Sequence, residues 1–190
     1  EAEEAISQLK AGIIGDDKQV ARQVSFLENE LGYRPIHICD AVDIVEGEEA
    51  WRLAVEGVLG NKRLALLVKP KDYFRAQAAL RRFEGRPTCW LINTSAIRRL
   101  AEGKPPKPGA LSEKVVALPG EYEVYARAYI DFTLGRTICC RDYKRRVAED
   151  PATNAVTPEG DWYVAPSSTV IKYRYIQPFR LGSNARAKYE

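Results

Sequence analysis

The stretch EYEVYARAYIDFTLG, residues 121–135, determines the predicted architecture of the second half of this chain. All its even-numbered positions are apolar or aromatic. This period of two is typical of a half-buried β-strand, whose side chains alternate between core and solvent. We therefore predict one long antiparallel strand, which turns at Leu134–Gly135 into a partner strand, RTICC, residues 136–140. The charged residues of the stretch fall on odd positions: Glu121, Glu123, Arg127 and Asp131.

Further strands are predicted downstream of this pair. The stretches WYVAP, residues 162–166, and STVIKYRYIQPF, residues 168–179, are rich in the β-branched and aromatic residues of strands. Between them and RTICC lies DPATNAVTPEGD, residues 150–161, which has the composition of a long polar loop. The last stretch, LGSNARAKYE, residues 181–190, is predicted to be an extended C-terminal arm.

The first half of the chain begins with a helix. In KQVARQVSFLENELG, residues 18–32, apolar residues recur at spacings of four, three and four, which predicts one buried helical face. Asp16–Asp17 would cap its start and Gly32 would end it. The apolar face consists of Val20, Val24, Leu27 and Leu31.

Strands and helices then alternate as far as residue 102. The predicted strands are RPIHICDAVDIV, bent near Asp40, then KRLALLVKP and RPTCWLIN. The predicted helices are EGEEAWRLAVEGVLG, residues 46–60, the segment 72–84, and a short helix carrying Ile97 and Leu100. This β-α-β-α-β-α order favours a partly parallel sheet with right-handed crossovers.

The predicted fold class is therefore α+β, with a mixed sheet in the first half and antiparallel strands in the second. The segment KPPKPG, residues 104–109, contains three prolines and two lysines, and is predicted to be an extended linker. It would separate an α/β unit, residues 1–103, from an antiparallel β unit, residues 110–190. The alternative is that both units form one continuous domain.

The net charge of +3 conceals an uneven distribution of charge. Residues 1–60 carry 13 acidic and 5 basic side chains, whereas residues 61–190 carry 13 acidic and 24 basic ones. The imbalance fits two solvated faces of opposite sign. It also fits a basic half that contacts an anionic partner, either nucleic acid or the acidic part of a neighbouring copy.

The sequence offers no set of residues for catalysis. Its glycines do not form a phosphate-binding loop, and His37 is its only histidine. The group His37, Asp40, Asp43 and Glu46 could hold a hard cation, but acidic residues before a helix are also what capping requires. We favour capping, and we predict a non-enzyme with no metal, cofactor or small-molecule substrate.

The four cysteines show no disulfide or zinc pattern. Cys39 and Cys89 lie in apolar runs, where a free thiol packs as a small hydrophobic side chain. Cys139 and Cys140 are adjacent, so on a strand they face opposite ways and cannot easily share a metal. The pKa of both thiols would be lowered by three neighbouring cations, Arg136, Arg141 and Lys144. Packing is nevertheless the favoured role of the two cysteines.

Basic residues interleave with aromatic ones in the last third of the chain. This combination supplies charge for phosphates and rings for base stacking, as single-strand binding requires, and also suits an outward-facing strand surface. The predicted contacts to a partner or to nucleic acid are Arg141, Lys144, Arg145, Arg146, Lys172, Arg174 and Arg180. The interleaved rings are Tyr143, Tyr173, Tyr175 and Phe179.

The segment GRTICCRDYKRRV, residues 135–147, is similar to an active-site strand of the restriction-endonuclease-like fold. In that fold an upstream aspartate and a glutamate on the strand bind the metal, and a lysine assists catalysis. The resemblance places Asp131 at the aspartate position, but Cys139 at the glutamate position and Arg141 at the lysine position. Because Mg²⁺ prefers oxygen ligands, the resemblance implies an inactive relative.

Taken together, these features predict a non-catalytic structural or assembly protein within a larger oligomeric complex, such as a tail or neck ring of a virus or phage particle. Its partners would be copies of itself or other subunits. The alternative is a nucleic-acid-binding module, including an inactive nuclease-like domain. The acidic start, EAEEAISQLK, does not resemble a signal peptide, and no apolar run is long enough to span a membrane. We therefore expect a location inside the cell or in a virion.

Overall fold

The structure, a computed structural model, describes residues 18–182. Helix α1 covers residues 18–31, and Gly32, with a φ of 80°, follows it. This confirms the predicted helix and its end. The predicted cap at residues 16–17 and most of the predicted arm, residues 183–190, lie outside the described part. The face of α1 that is buried is the predicted one: Val20, Val24, Leu27 and Leu31.

The predicted strand around Asp40 is two short strands separated by a helical turn. Strand β1 covers Ile36–His37, helix α2 covers Ile38–Ala41 and strand β2 covers Val42–Ile44. The turn redirects the chain, so the two strands pair with different partners. Both pairings are antiparallel: β1 pairs with β3, Leu66–Leu67, and β2 pairs with β4, Val115–Ala117.

The predicted β-α-β-α-β-α order with a partly parallel sheet is not confirmed. Three predicted helices are present: α3 covers Arg52–Leu59, α4 covers Tyr73–Leu80 and α5 covers Ile97–Glu102. However, the stretch RPTCWLIN contributes only an isolated parallel bridge, from Leu91 to Leu66. Because β2 pairs with a strand from beyond the proline-rich segment, no parallel crossover forms around α3.

The long strand predicted over residues 121–135 is wrong. This stretch forms helix α6, Glu123–Leu134. The physical reason is that residues four positions apart lie on the same face of a helix. Since four is a multiple of two, a buried helical face can fall entirely on even positions and resemble the alternation of a strand. The even-numbered Val124, by contrast, is 52% exposed, as a helix requires and a strand does not allow. Five even-numbered residues are buried: Tyr122, Ala126, Ala128, Ile130 and Leu134.

The remaining elements form a four-stranded sheet and two short helices. The sheet order is β5-β6-β7-β8, with β5 parallel to β6 and the other pairs antiparallel. The antiparallel hairpin β7–β8 agrees with the prediction of antiparallel strands in this half. The strands are β5, Ile138–Cys139; β6, Ala155–Val156; β7, Asp161–Val164; and β8, Ser167–Val170. The helices are α7, Tyr143–Glu149, and α8, Tyr173–Ile176.

Three predictions for this half need correction. RTICC does not pair with residues 121–134, since those are helical, and β5 runs beside β6 instead. The predicted polar loop, residues 150–161, contains β6. The predicted strand STVIKYRYIQPF ends at Val170, where β8 ends, and α8 follows. Short elements of two to four residues are set by tertiary contacts, which local sequence patterns do not reveal.

The core joins residues from both sides of the proline-rich segment. Buried residues of β2, α3, β4 and α6 form one cluster, which also includes Val156, Ile171 and Leu181. A second cluster lies between α1, β3 and α4. The predicted division into units at residues 104–109 stays a prediction. The predicted extended arm is not confirmed: its first residue, Leu181, is fully buried.

Within residues 18–182, no helix combines the length and the apolar composition needed to cross a membrane.

The helical assignment of residues 123–134 predicts unequal effects for two even-numbered positions. Replacing Ile130, which is fully buried, with alanine should lower the free energy of unfolding by about 2–5 kcal/mol. Replacing the exposed Val124 with alanine should change it by about 0.5 kcal/mol or less. Urea unfolding of both variants measures the difference, and equal losses would instead support a strand with both residues on its buried face.

Candidate interaction surface

Strand β8 forms an open edge of the four-stranded sheet. It is the last strand in the order β5-β6-β7-β8, and all four of its residues are exposed. Neither face of β8 is therefore covered by the rest of residues 18–182. Val170 is 54% exposed.

The register of the β7–β8 hairpin shows which backbone groups point outward. Ile171 donates its N–H to the Gly160 oxygen at 2.7 Å, so the pair at 160 and 171 is hydrogen-bonded. Hydrogen-bonded and non-hydrogen-bonded pairs alternate in antiparallel strands. Ser168, opposite Tyr163, and Val170, opposite Asp161, are therefore in non-hydrogen-bonded pairs. Their N–H and C=O groups face away from β7.

An open edge of this kind is a template for another strand. Proteins usually protect such edges with charged residues, proline or a covering segment. Strand β8 has the sequence Ser-Ser-Thr-Val, which contains no charge and no proline. No backbone hydrogen bond from the rest of residues 18–182 reaches its outer side. The strand is therefore suited to pairing with an added strand.

A second open surface lies beside strand β4. An apolar groove of about 440 Å³ runs between β4 and the first turns of α6. Val116 and Val124, which line it, are 43% and 52% exposed. In the β2–β4 register, the N–H and C=O groups of Ala117 point to the side of β4 that faces away from β2. Nearby, the Arg127 guanidinium donates to the Val115 backbone oxygen. The complete lining is Val45, Val115, Val116, Ala117, Glu123, Val124 and Arg127.

Four of the predicted contact residues lie on or next to helix α7. Asp142 caps this helix by accepting from the Arg145 backbone N–H. Arg145 pairs with Glu149 at 2.7 Å and Arg146 with Asp150 at 3.4 Å, each one helical turn away. Arg141 and Lys144 are exposed and have no ion pair within the described residues. Half of this predicted basic group is thus neutralised locally.

The other three predicted contact residues lie on or beside α8. Lys172 is exposed, and the exposed Arg174 guanidinium lies 4.7 Å from the centre of the Tyr175 ring. Arg180 differs, since its backbone N–H donates to the buried Glu56 carboxylate at 2.8 Å. The structure therefore places Arg180 at an internal contact, and Lys172 and Arg174 at the surface.

The cysteine pair 139–140 is not activated. Burial is the largest effect on both thiols, and it raises the pKa of Cys139 to about 12 and also raises that of Cys140. Lys114 and Arg146 lower these pKa values only partly. The predicted lowering of the pKa by neighbouring cations is therefore wrong, because the loss of hydration outweighs the cations.

The residues proposed from the nuclease resemblance do not form an active-site strand. Asp131 lies on helix α6, where it pairs with Arg127 one turn away. Cys139 lies on β5 and Arg141 in the exposed segment after it. Asp43, from the candidate cation group, pairs with Arg52 at 3.2 Å. Residues 18–182 contain no cluster of three or more histidine, cysteine or acidic side chains able to hold a metal.

Comparison with known proteins identifies the fold. No protein-family model and no curated protein matches the sequence. Solved structures do match, and one is the Pyrococcus furiosus Smc hinge domain with an extended coiled coil. The match has a TM-score of 0.63 and 17% identity, and covers 98% of this chain and 65% of that chain.

Two further hinge structures match the chain. The Pyrococcus furiosus SMC hinge domain has a TM-score of 0.51 and 16% identity, over 80% of this chain and 88% of that one. An asymmetric dimer of the Geobacillus stearothermophilus SMC hinge domain has a TM-score of 0.51 and 20% identity, over 90% of this chain and 79% of that one. The chain has the SMC hinge fold. At these identities the likeness concerns the fold alone.

The two open strand edges could not be recognised from the sequence. β8 has an unremarkable composition, and β4 lies in a stretch that carries no catalytic or charged motif. The signal that could have pointed to β8 is the absence of charge and proline from a short β-branched run. Recognising it as an edge requires knowing which strand is its neighbour, and the structure supplies that information.

The raised pKa of Cys139 predicts slow alkylation of the folded protein. With a pKa of about 12 instead of the ordinary 9.0, its thiolate fraction at pH 8 is roughly a thousandfold smaller than in the unfolded chain. Peptide-resolved mass spectrometry after iodoacetamide treatment, with and without urea, measures this ratio. Equal alkylation rates of Cys139 in both conditions would contradict the burial of the thiol.

Proposed function

We propose that this chain is a non-catalytic self-association module, through which two copies of the chain join within a larger assembly. The observation that supports this most strongly is the open, uncharged edge of β8. The hinge fold is a second support, since a solved structure with this fold is a dimer.

We further propose that β8 of one copy pairs alongside β4 of the other. The β4 groove offers exposed valines to the apolar side chain of Val170, and the Ala117 backbone offers a free edge. Since each copy has one β8 and one β4, a two-fold dimer would contain this contact twice. Closure of both contacts would leave neither edge open to further copies.

The comparisons do not support a virus or phage component. The solved structures reported above are SMC hinge domains, and none is a particle protein. The predicted assembly role is therefore proposed in the coarser form of a self-association module in a larger complex.

Sedimentation equilibrium over a range of concentrations tests the self-association of the complete chain. The average mass should rise from one to two chain masses, and Ser168→Pro should weaken association by about tenfold or more. Proline removes an outward-facing N–H, but residue 168 makes no ladder bond to β7, so the hairpin should remain.

Two matched variants sharpen this test. Ser168→Ala keeps the backbone N–H and should associate like the natural chain. Val124→Asp places a charge in the β4 groove and should weaken association as Ser168→Pro does. If Val124→Asp has no effect while Ser168→Pro weakens association, β8 pairs with another surface. A natural chain that stays monomeric at all concentrations would rule out the proposed function.

A second candidate function is binding of single-stranded nucleic acid. The observation that favours it is the exposed Arg174–Tyr175 stack, beside Lys172, because a cation over a ring can contact phosphate and base together. Arg141 and Lys144 add exposed positive charge without ion pairs inside residues 18–182.

Salt-dependent binding of an oligonucleotide tests this candidate. Replacing both Lys172 and Arg174 with alanine should weaken binding of a single strand and make its salt dependence shallower. Arg145→Ala is the matched control, since Arg145 already pairs with Glu149. Fluorescence anisotropy at two salt concentrations provides the measurement, and absence of binding at low salt would exclude this function.

A further inference from the structure

The segment that follows β8 is attached to the first half of the chain by a buried carboxylate. Glu56, on α3, is fully buried. One of its oxygens accepts from the Arg180 backbone N–H at 2.8 Å, and the other accepts from the Leu181 N–H at 3.0 Å. Two adjacent backbone donors therefore converge on one buried negative charge. We call residues 171–182 the C-terminal clasp.

Two arginines complete the attachment. Arg63 donates both to the Glu56 carboxylate at 2.8 Å and to the Ile176 oxygen at 2.9 Å. Arg52 donates to the Leu181 oxygen at 2.9 Å and pairs with Asp43. Each arginine thus joins a carboxylate of the first half to a carbonyl of the clasp. Hydrogen bonds between charged and neutral groups are stronger than neutral ones, and burial strengthens them further.

The other end of the clasp fits a notch in α3. A Cβ atom at Gly57 would lie only 2.3 Å from Cγ2 of Ile171, so any larger side chain there would force Ile171 to shift. Ile171 is the residue directly after β8, and its N–H bonds to Gly160. The clasp therefore begins where the open strand ends, and adjacent residues of α3, Glu56 and Gly57, hold its two ends.

Strand β8 depends on these contacts because little else supports it. Both of its faces are exposed, and its outer edge is open. Among the described elements, β7 on one side and the clasp at its C-terminal end fix its position. A strand must be held in place before another strand can pair with it without a large loss of conformational freedom.

We propose that the clasp positions β8 for self-association, with Glu56 as the positioning residue. Release of the clasp from α3 would leave β8 held by β7 alone and would weaken pairing with a second copy. By reciprocity, pairing through β8 would tighten the clasp. This inference rests on the proposed self-association.

The test compares Glu56→Gln with the natural chain. Glutamine keeps the size of the side chain but removes the charge that the two backbone donors and Arg63 share. Hydrogen exchange of clasp amides should accelerate by about tenfold or more, and the dissociation constant of the dimer should rise by a similar factor. Exchange is measured by mass spectrometry and association by sedimentation, under conditions where both proteins are folded.

A control separates positioning from a general loss of stability. Leu27→Ala creates a cavity in the second core cluster, away from the clasp, and should lower stability while leaving the dissociation constant unchanged. Faster clasp exchange in Glu56→Gln with unchanged association would overturn the inference and leave self-association intact. Unchanged clasp exchange would overturn it as well. A monomeric natural chain would instead refute the proposed function itself.

A second pair of variants keeps the inference testable if Glu56→Gln does not fold. Gly57→Ala favours the helix but should displace Ile171 and weaken association. In the background of Ile171→Ala the same change should have little effect, because the clash is gone. Weakening of association by Gly57→Ala in both backgrounds, or in neither, would contradict a role of the notch in positioning β8.

Discussion

The contact between the buried Glu56 carboxylate and the C-terminal clasp is the constraint on which the arrangement of this chain depends. Glu56 is separated from its two backbone donors, Arg180 and Leu181, by 124 and 125 positions in the sequence. Without partners, a buried carboxylate would be strongly unfavourable, and breaking a buried ion pair typically costs about 3–5 kcal/mol. Here Arg63 and two backbone N–H groups satisfy it. The clasp is thereby held against α3, at the centre of the core shared by both halves.

This arrangement explains how a small sheet can keep an open edge. Strand β8 is exposed on both faces, which in most proteins would make it mobile or prone to aggregation. The hairpin with β7 and the attachment of Ile171 fix it without covering it. The same geometry connects the fold to its proposed role, since an edge that is rigid and uncovered is suited to a second copy. The likeness to SMC hinge domains concerns the fold alone.

A sequence pattern predicts the structure of this chain correctly where only one type of secondary structure fits it. The four-three-four spacing in α1 fits only a helix, and it was predicted correctly. The spacing of four that runs from Tyr122 through Ala126 and Ile130 fits both a helix and a strand. Ala126 and Leu134 are strong helix formers, so intrinsic propensity favours the helix although the alternation indicates a strand.

The candidate site was harder to predict from the sequence, because it depends on which segments lie next to each other in the fold. Arg145 pairs with Glu149 and Arg146 with Asp150 only because that segment is helical. These two pairs neutralise half of the four basic residues at α7. Likewise, nothing local in Ser-Ser-Thr-Val shows that its outer side lacks a partner. Glu56 lies in the helix predicted over residues 46–60, and its role emerges only once the distant clasp is placed against it.

Residue-resolved amide hydrogen exchange as a function of protein concentration tests the central claim most directly. The outward-facing amides of Ser168 and Val170 should exchange rapidly in dilute solution and become protected as the concentration rises. The amide of Thr169, which faces β7, should remain protected throughout. Exchange of Ser168 and Val170 that is independent of concentration, while the mass doubles, would show that the chain associates through another surface.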